Sequence, residues 1–188
     1  MPQHEFDEDI KIAPAGFSKL SKKQSVQTDD SIDLFIRQRS LGNVERAKNL
    51  GKHYVEDLLD CLWTKPPVMV DSDSFELQLK LLFCYAVHRA VEDYSPNTVL
   101  AHSTIASFYE TLEDAAPELF DAIANNPAFT MYLYLHRGKE ESTQTVGKSF
   151  AKLCDVPEDE DCAALGEGAY LRYLSGCVQR MLDVGYQM

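Results

Sequence analysis

Apolar side chains recur with the period of an α-helix along most of the chain from Asp30 onward. Between Asn43 and Trp63 the apolar residues fall in one arc of a helical wheel, and charged or polar side chains fill the opposite arc. The residues of the apolar arc are Val44, Ala47, Leu50, Gly51, Tyr54, Val55, Leu58, Leu59, Cys61 and Leu62. This pattern predicts an amphipathic helix over 43–63, which Pro66 and Pro67 end.

The segment from Ser74 to Tyr94 is apolar almost all the way round. A helix without a polar face must be surrounded by other elements, so we expect this segment, residues 74–94, to be the central helix of the molecule. Asp73, with Glu76 three residues later, matches a capping box at its start.

Prolines indicate where helices begin in the second half of the chain. Proline is tolerated at the first helical position, where its missing N–H would have no partner. With Pro96, Pro117, Pro127 and Pro157 as starting points, and with Asp30 or Ser31 as an earlier cap, the further predicted helices are 30–40, 97–113, 117–125, 127–137, 142–154 and 157–185. We expect the last helix to be broken near Gly166–Gly168. The aromatic segment 129–135 also fits a short strand, but the Asn126–Pro127 pair before it favours a helix.

These elements predict an all-α protein, a compact bundle-like or orthogonal array of seven to eight helices around the central helix 74–94. No Asn-Gly, Asp-Gly or Gly-Gly dipeptide indicates a β-hairpin. Residues 1–28 lack a sustained period, so we predict a flexible or loosely docked N-terminal arm there and a single helical domain over 29–188.

The cysteines and the hydropathy pattern bear on the compartment. The chain has five cysteines, an odd number, and no Cys-x-x-Cys spacing, which excludes zinc-knuckle and thioredoxin-type sites. Cys61, Cys84 and Cys177 lie on apolar helix faces and are interpreted as reduced core residues. No run of 18 apolar residues occurs, and the acidic start of the chain is unlike a secretory signal peptide. The sequence therefore predicts a cytoplasmic protein without membrane contact.

The formal net charge of −12 is concentrated in the second half of the chain. Between Arg89 and Arg137 there is no lysine or arginine, but there are seven acidic residues: Glu92, Asp93, Glu110, Glu113, Asp114, Glu118 and Asp121. Such a surface repels phosphate backbones, so nucleic-acid binding is not expected. It can attract a basic protein partner, or it can serve only to keep the protein in solution. The predicted function is a non-enzymatic protein–protein interaction through this acidic surface (90–136).

The segment Ser142–Ser149 matches the second half of a phosphate-binding loop, with Gly147, Lys148 and Ser149 in place. The first glycine of that motif is replaced by Ser142, and acidic residues precede the segment. We interpret it as an ordinary helix start with a solvated lysine.

His88, Arg89, Glu92 and His102 are the candidate ligand-binding residues. His88 and Glu92 are four residues apart on the central helix and so share a face, and His102 falls in the apolar arc of the next helix. If the two helices form a hairpin across 94–97, these side chains can converge on one polar pocket. Such a pocket can hold a metal ion, an acid–base pair, or a small anion bound by Arg89. The alternative is a buried histidine–carboxylate pair that only specifies packing.

A small-ligand- or metal-binding domain around His88, Glu92 and His102 is therefore the second functional hypothesis. No Gly-x-Ser-x-Gly or His-Glu-x-x-His motif is present, and the spacing His-x-x-x-Glu differs from that of di-iron bundles. The sequence predicts no catalytic residue, no metal ligand and no cofactor, and the prediction leans away from an enzyme.

Overall fold

The computed structural model describes residues 31–60, 71–137 and 142–187, and every regular element within these ranges is an α-helix. The eight helices are α1 (31–40), α2 (Asn43–Asp60), α3 (Ser72–Tyr94), α4 (Thr98–Ala115), α5 (Pro117–Ala124), α6 (Pro127–Arg137), α7 (Thr143–Leu153) and α8 (Glu160–Asp183). The predicted all-α class is confirmed. The predicted arm 1–28 and the proposed stop at Pro66 and Pro67 lie outside the described residues.

Internal contacts divide the chain into two units, residues 1–37 and 38–188. In the first unit, the described residues are the α1 segment 31–37, on which Ile32, Phe35 and Ile36 are exposed. The second unit contains the other helices and the hydrophobic core. The predicted domain boundary near residue 29 stays a prediction.

The central position of α3 is confirmed by its burial. Residues 81–87 form an unbroken run of buried side chains, which an amphipathic helix could not provide. α3 contacts α8, α6, α4, α2 and α7. On one side Tyr85 stacks on Tyr132 of α6 and Tyr170 of α8, with ring centroids 5.3 and 5.5 Å apart. The apolar helix is thus covered from several directions, as its composition requires.

Three local predictions about the helices are wrong. Asp71, not Asp73, caps α3, because its carboxylate accepts a hydrogen bond from Ser74 N at 3.0 Å. α8 runs without a break from Glu160 to Asp183, although it contains Gly166 and Gly168. Asp159 caps this helix, so Pro157 precedes it instead of starting it.

The glycine in α8 is retained because a neighbour occupies the space of its missing side chain. A Cβ at Gly166 would lie 2.6 Å from the Phe150 side chain of α7. On α7, a Cβ at Gly147 would collide with the carbonyl oxygen of Ala163. The loop-like motif of the sequence is therefore part of a close helix crossing, and Ser142 caps α7 by accepting from Thr145 N at 3.1 Å.

α4 packs along α2 and meets α3 over a shorter stretch. Gly51 of α2 allows this contact, since a Cβ there would lie 2.5 Å from Thr104 O and 2.8 Å from Phe108 N. The Ser107 hydroxyl also donates to Lys48 O at 2.9 Å. Because α4 lies against α2, its face toward α3 is only partly covered near the turn at 95–97.

The described cysteines, Cys84, Cys154, Cys162 and Cys177, are buried free thiols, and Cys61 lies outside the described residues. α2 is joined to α8 by the Tyr54 hydroxyl, which donates to Cys177 O at 2.7 Å. None of the described helices combines the length and the apolar character needed to cross a bilayer.

Candidate functional site

A cleft of about 630 Å³ opens between α3 and α4, beside the turn that joins them. It is lined by His88, Val91, Glu92, Ser95, Asn97, Thr98, Ala101, His102, Ile105 and Ala106. α4 packs mainly against α2 and meets α3 over a shorter stretch, and side chains of both α3 and α4 border the cleft.

The structure brings three of the four candidate residues to this cleft: His88, Glu92 and His102. Arg89 is not among the lining residues. Its guanidinium pairs with Asp93 one turn away, with Nη2 2.9 Å from the carboxylate. An anion in the cleft would therefore not meet the arginine that the sequence suggested for it.

His88 lies where α3 and α4 are bridged by a hydrogen bond. Its Nε2 is 2.8 Å from the hydroxyl of Tyr109, and its ring meets Phe129 of α6 edge-on at 5.4 Å. Burial lowers the pKa of His88 to about 4, and the nearby Glu92 carboxylate opposes that shift only in part. The imidazole is therefore neutral at neutral pH.

Glu92 and His102 are exposed and form part of the rim. The sequence placed His102 in the apolar arc of its helix, and this was wrong. α4 instead turns Leu100, Thr104 and Phe108 into the protein. The buried face of α4 includes a threonine and a serine because it contacts the backbone of α2, which hydropathy alone does not reveal.

The wall of the cleft is apolar, and two of its four side chains are alanines. Buried Val91 comes from α3, and Ala101, Ile105 and Ala106 come from α4. Sequence reasoning missed these residues, although their spacing places them along one side of α4. Small side chains at such positions leave volume that longer ones would occupy.

Polar side chains at the turn between α3 and α4 make contacts within the protein. The Asn97 side chain caps α4 by accepting from Leu100 N at 3.1 Å. The Ser95 hydroxyl lies 4.0 Å from the sulfur of Met181. Tyr109, which sequence reasoning also missed, holds His88 but is not a lining residue itself.

The chemistry available in the cleft depends on the state of its polar side chains. A histidine whose pKa is near 4 is a weak general base at neutral pH. Within the described residues, no three histidine, cysteine or acidic side chains are placed to hold a metal ion. The cleft offers an apolar wall, the Glu92 carboxylate and the hydrogen-bonding side chains of two histidines, a serine, an asparagine and a threonine.

The acidic surface predicted for 90–136 has all seven of its carboxylates exposed, at the end of α3 and on α4 and α5. Asp93 pairs with Arg89. The others lie on a stretch of the sequence without lysine or arginine.

A second cleft, of about 530 Å³, lies along α2 and α8 and includes Phe83 and Tyr173. Two of its four described charged residues, Asp57 and Arg180, pair with each other through two hydrogen bonds. The α3–α4 cleft is larger and contains three of the residues that the sequence selected, so it is the better candidate.

No family model matches this chain, and comparisons with curated proteins and with solved structures likewise gave no match.

Proposed function

We propose that this protein binds a small organic ligand in the α3–α4 cleft. The observation that carries the proposal is that one cleft is lined by His88, Glu92 and His102 together with an apolar wall. Its volume of about 630 Å³ lies within the roughly 300–1,000 Å³ typical of small-molecule sites. An apolar wall with a few converging polar groups is also the usual composition of such sites.

The proposed role is binding without catalysis. His88 is neutral and engaged with Tyr109, so it is suited to orient a ligand by a hydrogen bond instead of moving protons. We place the protein in the cytoplasm, which the buried free thiols Cys84, Cys154, Cys162 and Cys177 support.

The test uses a neutral apolar probe, 4-phenylbutan-1-ol, titrated into the protein while backbone amide chemical shifts are recorded. We expect saturable shifts at lining residues of α3 and α4. Ala101→Phe and Ala106→Phe, which place a ring in the cleft, should weaken binding at least about tenfold by taking the volume the probe needs. Ala115→Phe is the control, because Ala115 is exposed on the same helix and does not line the cleft. Equal binding by all four proteins would overturn the proposal.

A second candidate function is recognition of a basic protein partner by the acidic surface (90–136). The exposure of all seven carboxylates supports it. A lysine-rich peptide should bind the protein with an affinity that falls steeply as salt is added. Charge reversal at Glu113, Asp114 and Glu118 together should abolish binding, whereas reversal at exposed Glu45 on α2 should not. Binding that ignores the triple reversal would exclude this surface.

A further inference from the structure

We propose that the ligand of the α3–α4 cleft is a neutral apolar molecule that carries a carbonyl group, and that His88 binds the carbonyl oxygen through its Nδ1–H. This inference rests on the proposed small-molecule function and names the chemical class of the ligand. The feature that points to it is the imidazole of His88, which lines the cleft while Tyr109 occupies one of its nitrogens from outside the cleft.

The two ring nitrogens of His88 have different surroundings. Nε2 lies 2.8 Å from the hydroxyl of Tyr109. Nδ1 has no hydrogen-bond partner among the described residues, yet it is not one of the buried side-chain atoms that lack a partner there. Nδ1 is therefore accessible from outside the protein, and the space that this imidazole borders is the cleft.

The hydrogen bond with Tyr109 decides which nitrogen of His88 carries the proton. Burial lowers the pKa of His88 to about 4, so at neutral pH the ring is neutral and has a single N–H. Burial raises the pKa of Tyr109, so the phenol keeps its proton. Within the described residues, Nε2 is the one acceptor that this hydroxyl meets. Tyr109 therefore donates to Nε2, which places the proton of the imidazole on Nδ1.

An N–H donor in the cleft selects a ligand that accepts a hydrogen bond. A group that can only donate would leave the Nδ1–H unpaired once water is displaced, and this costs binding free energy. The rest of the ligand is apolar because of the wall, where Val91 is buried and Ala101 and Ile105 pack against the main core. The carbonyl oxygen thus lies beside His88 and the apolar body lies along α4.

The acceptor is uncharged because the cleft does not compensate an anion. Its described lining residues include no lysine or arginine, so a carboxylate would lose water without gaining a cation. The imidazole beside it is kept neutral by burial. A ketone, ester or amide meets the same N–H at a smaller cost of desolvation.

The first experiment determines the tautomer of His88 without any ligand. Two-bond ¹H–¹⁵N correlation spectra at neutral pH distinguish protonated from unprotonated ring nitrogens, and the signals of His88 are identified by their loss in His88→Gln. We expect Nδ1 to be protonated and Nε2 to be unprotonated. The opposite assignment, or a doubly protonated ring, overturns the proposal.

The second experiment compares three probes that share a phenyl-bearing carbon chain: 4-phenylbutan-2-one, which only accepts, 4-phenylbutan-2-ol, which accepts and donates, and 4-phenylbutanoate, which is an anion. Each is titrated at neutral pH, with the amide shifts of the lining residues and the ring nitrogen shifts of His88 as readouts. The ketone should shift Nδ1, slow the exchange of its proton with water and bind at least as tightly as the alcohol. The carboxylate should bind about tenfold more weakly than either.

Two matched variants test the positioning role of Tyr109. Tyr109→Phe removes the hydroxyl and leaves the lining residues in place, so the Nε2-protonated tautomer becomes populated and Nδ1 then accepts instead of donating. The affinity for the ketone should fall about three- to tenfold, whereas the alcohol should stay within about twofold because it can donate to Nδ1. Tyr94→Phe makes the same change at an exposed tyrosine of α3 outside the cleft, and it should alter neither the tautomer nor the affinities.

The outcomes separate the two proposals. If the alcohol binds in the cleft but the ketone does not, or if the carboxylate binds best, the carbonyl assignment is overturned and the ligand-binding function stands. The assignment also fails if Tyr109→Phe changes neither the tautomer nor the affinity for the ketone, or if Tyr94→Phe has the same effect as Tyr109→Phe. If none of the three probes shifts the lining residues, the proposed function fails, and this inference fails with it.

Discussion

At the scale of single residues, Gly51 decides how closely α2 and α4 approach. The sequence placed it on the apolar face of α2 between Ala47 and Val55, which indicated a close helix crossing. The structure confirms the crossing, since a Cβ on Gly51 would meet the backbone of α4 at Thr104 and Phe108. A backbone neighbour cannot turn aside as a flexible side chain can, so the contact tolerates only hydrogen at this position.

We predict that Gly51→Leu lowers the free energy of unfolding by about 1–3 kcal/mol, because overpacking at the crossing outweighs the better helix propensity of leucine. The measurement is urea-induced unfolding followed by circular dichroism. Gly168→Leu is the control, because a Cβ at exposed Gly168 meets no atom within 4 Å. That variant should be neutral or more stable than wild type. A stabilised Gly51→Leu protein would contradict the crossing.

His88 predicts how the stability of the protein depends on acid. Its pKa is lowered from 6.5 to about 4 in the folded state, mainly by burial. The unfolded chain therefore binds a proton at a higher pH than the folded protein does, and the free energy of unfolding falls as the pH drops from about 6.5 toward 4. Above that window the histidine is neutral in both states and contributes no pH dependence.

We predict that His88→Gln removes this dependence, since glutamine has no charge to gain and can still hydrogen-bond with Tyr109. Between pH 7 and pH 4.5 the difference in unfolding free energy between wild type and variant should change by about 2 kcal/mol, in favour of the variant at low pH. Urea titrations at both pH values measure it. Carboxylates titrate in both proteins and cancel in the difference, so parallel pH profiles would show that His88 is not buried as described.

At the scale of elements, helix ends are decided by single hydrogen bonds. Sequence spacing selected Asp73 as the cap of α3, but Asp71 accepts the bond from Ser74 N. Both aspartates lie near the start of an apolar run, and the backbone conformation decides which of them caps the helix. Capping requires an extended residue, and Asp71 has φ −62° and ψ 131°, whereas Asp73 is already inside the helix.

We predict that Asp71→Ala lowers the unfolding free energy by about 1 kcal/mol, because one N–H of the first turn loses its acceptor. Asp73→Ala is the matched control and should cost only about 0.3–0.5 kcal/mol, through the helix dipole alone. Hydrogen exchange at the Ser74 amide should accelerate in the first variant and not in the second. Equal losses of stability in the two variants would return the cap to Asp73.

The unbroken α8 shows how packing overrides propensity within one element. Gly166 and Gly168 weaken an isolated helix, which is why a break was expected there. In the protein, Phe150 packs into the space at Gly166, and contact with α7 stabilises the helix through this stretch. Propensity is a local quantity, and the compensating contact comes from another helix.

At the scale of the whole molecule, two buried tyrosines on different helices differ in the hydrogen bonding of their hydroxyl groups. The Tyr54 hydroxyl of α2 donates to Cys177 O of α8 at 2.7 Å. The Tyr132 hydroxyl of α6 is buried and has no hydrogen-bond partner among the described residues. Both rings are fully covered, so the two hydroxyls differ mainly in whether they are satisfied.

We predict that Tyr54→Phe lowers the unfolding free energy by about 1 kcal/mol, the usual net value of a buried hydrogen bond. Tyr132→Phe removes a hydroxyl that is desolvated without compensation, so it should be neutral or stabilising by up to about 1 kcal/mol. Thermal and urea unfolding of the pair measure the contrast. Equal destabilisation by both changes would show that Tyr132 donates a hydrogen bond.

The sequence by itself determined the all-α class, the approximate positions of the described helices and the central place of α3. Helical period, caps and prolines act within a few residues of each other, so they can be read along one chain. It also indicated that His88, Glu92 and His102 can converge across one hairpin, because a short turn places the two histidines at similar heights on α3 and α4.

Only the tertiary structure decided which faces of those helices meet. The rotation of α4 about its axis is set by its contact with α2 at Gly51, a residue far from α4 in sequence. With Leu100, Thr104 and Phe108 of α4 buried, His102 is exposed at the rim of the cleft. The structure also shows that Arg89 pairs with Asp93 outside the cleft, which the sequence alone did not reveal. The angular position of a residue on one helix cannot be related to that on another until the helices pack. A single sequence could therefore indicate three polar residues of this site but neither its apolar wall nor its shape.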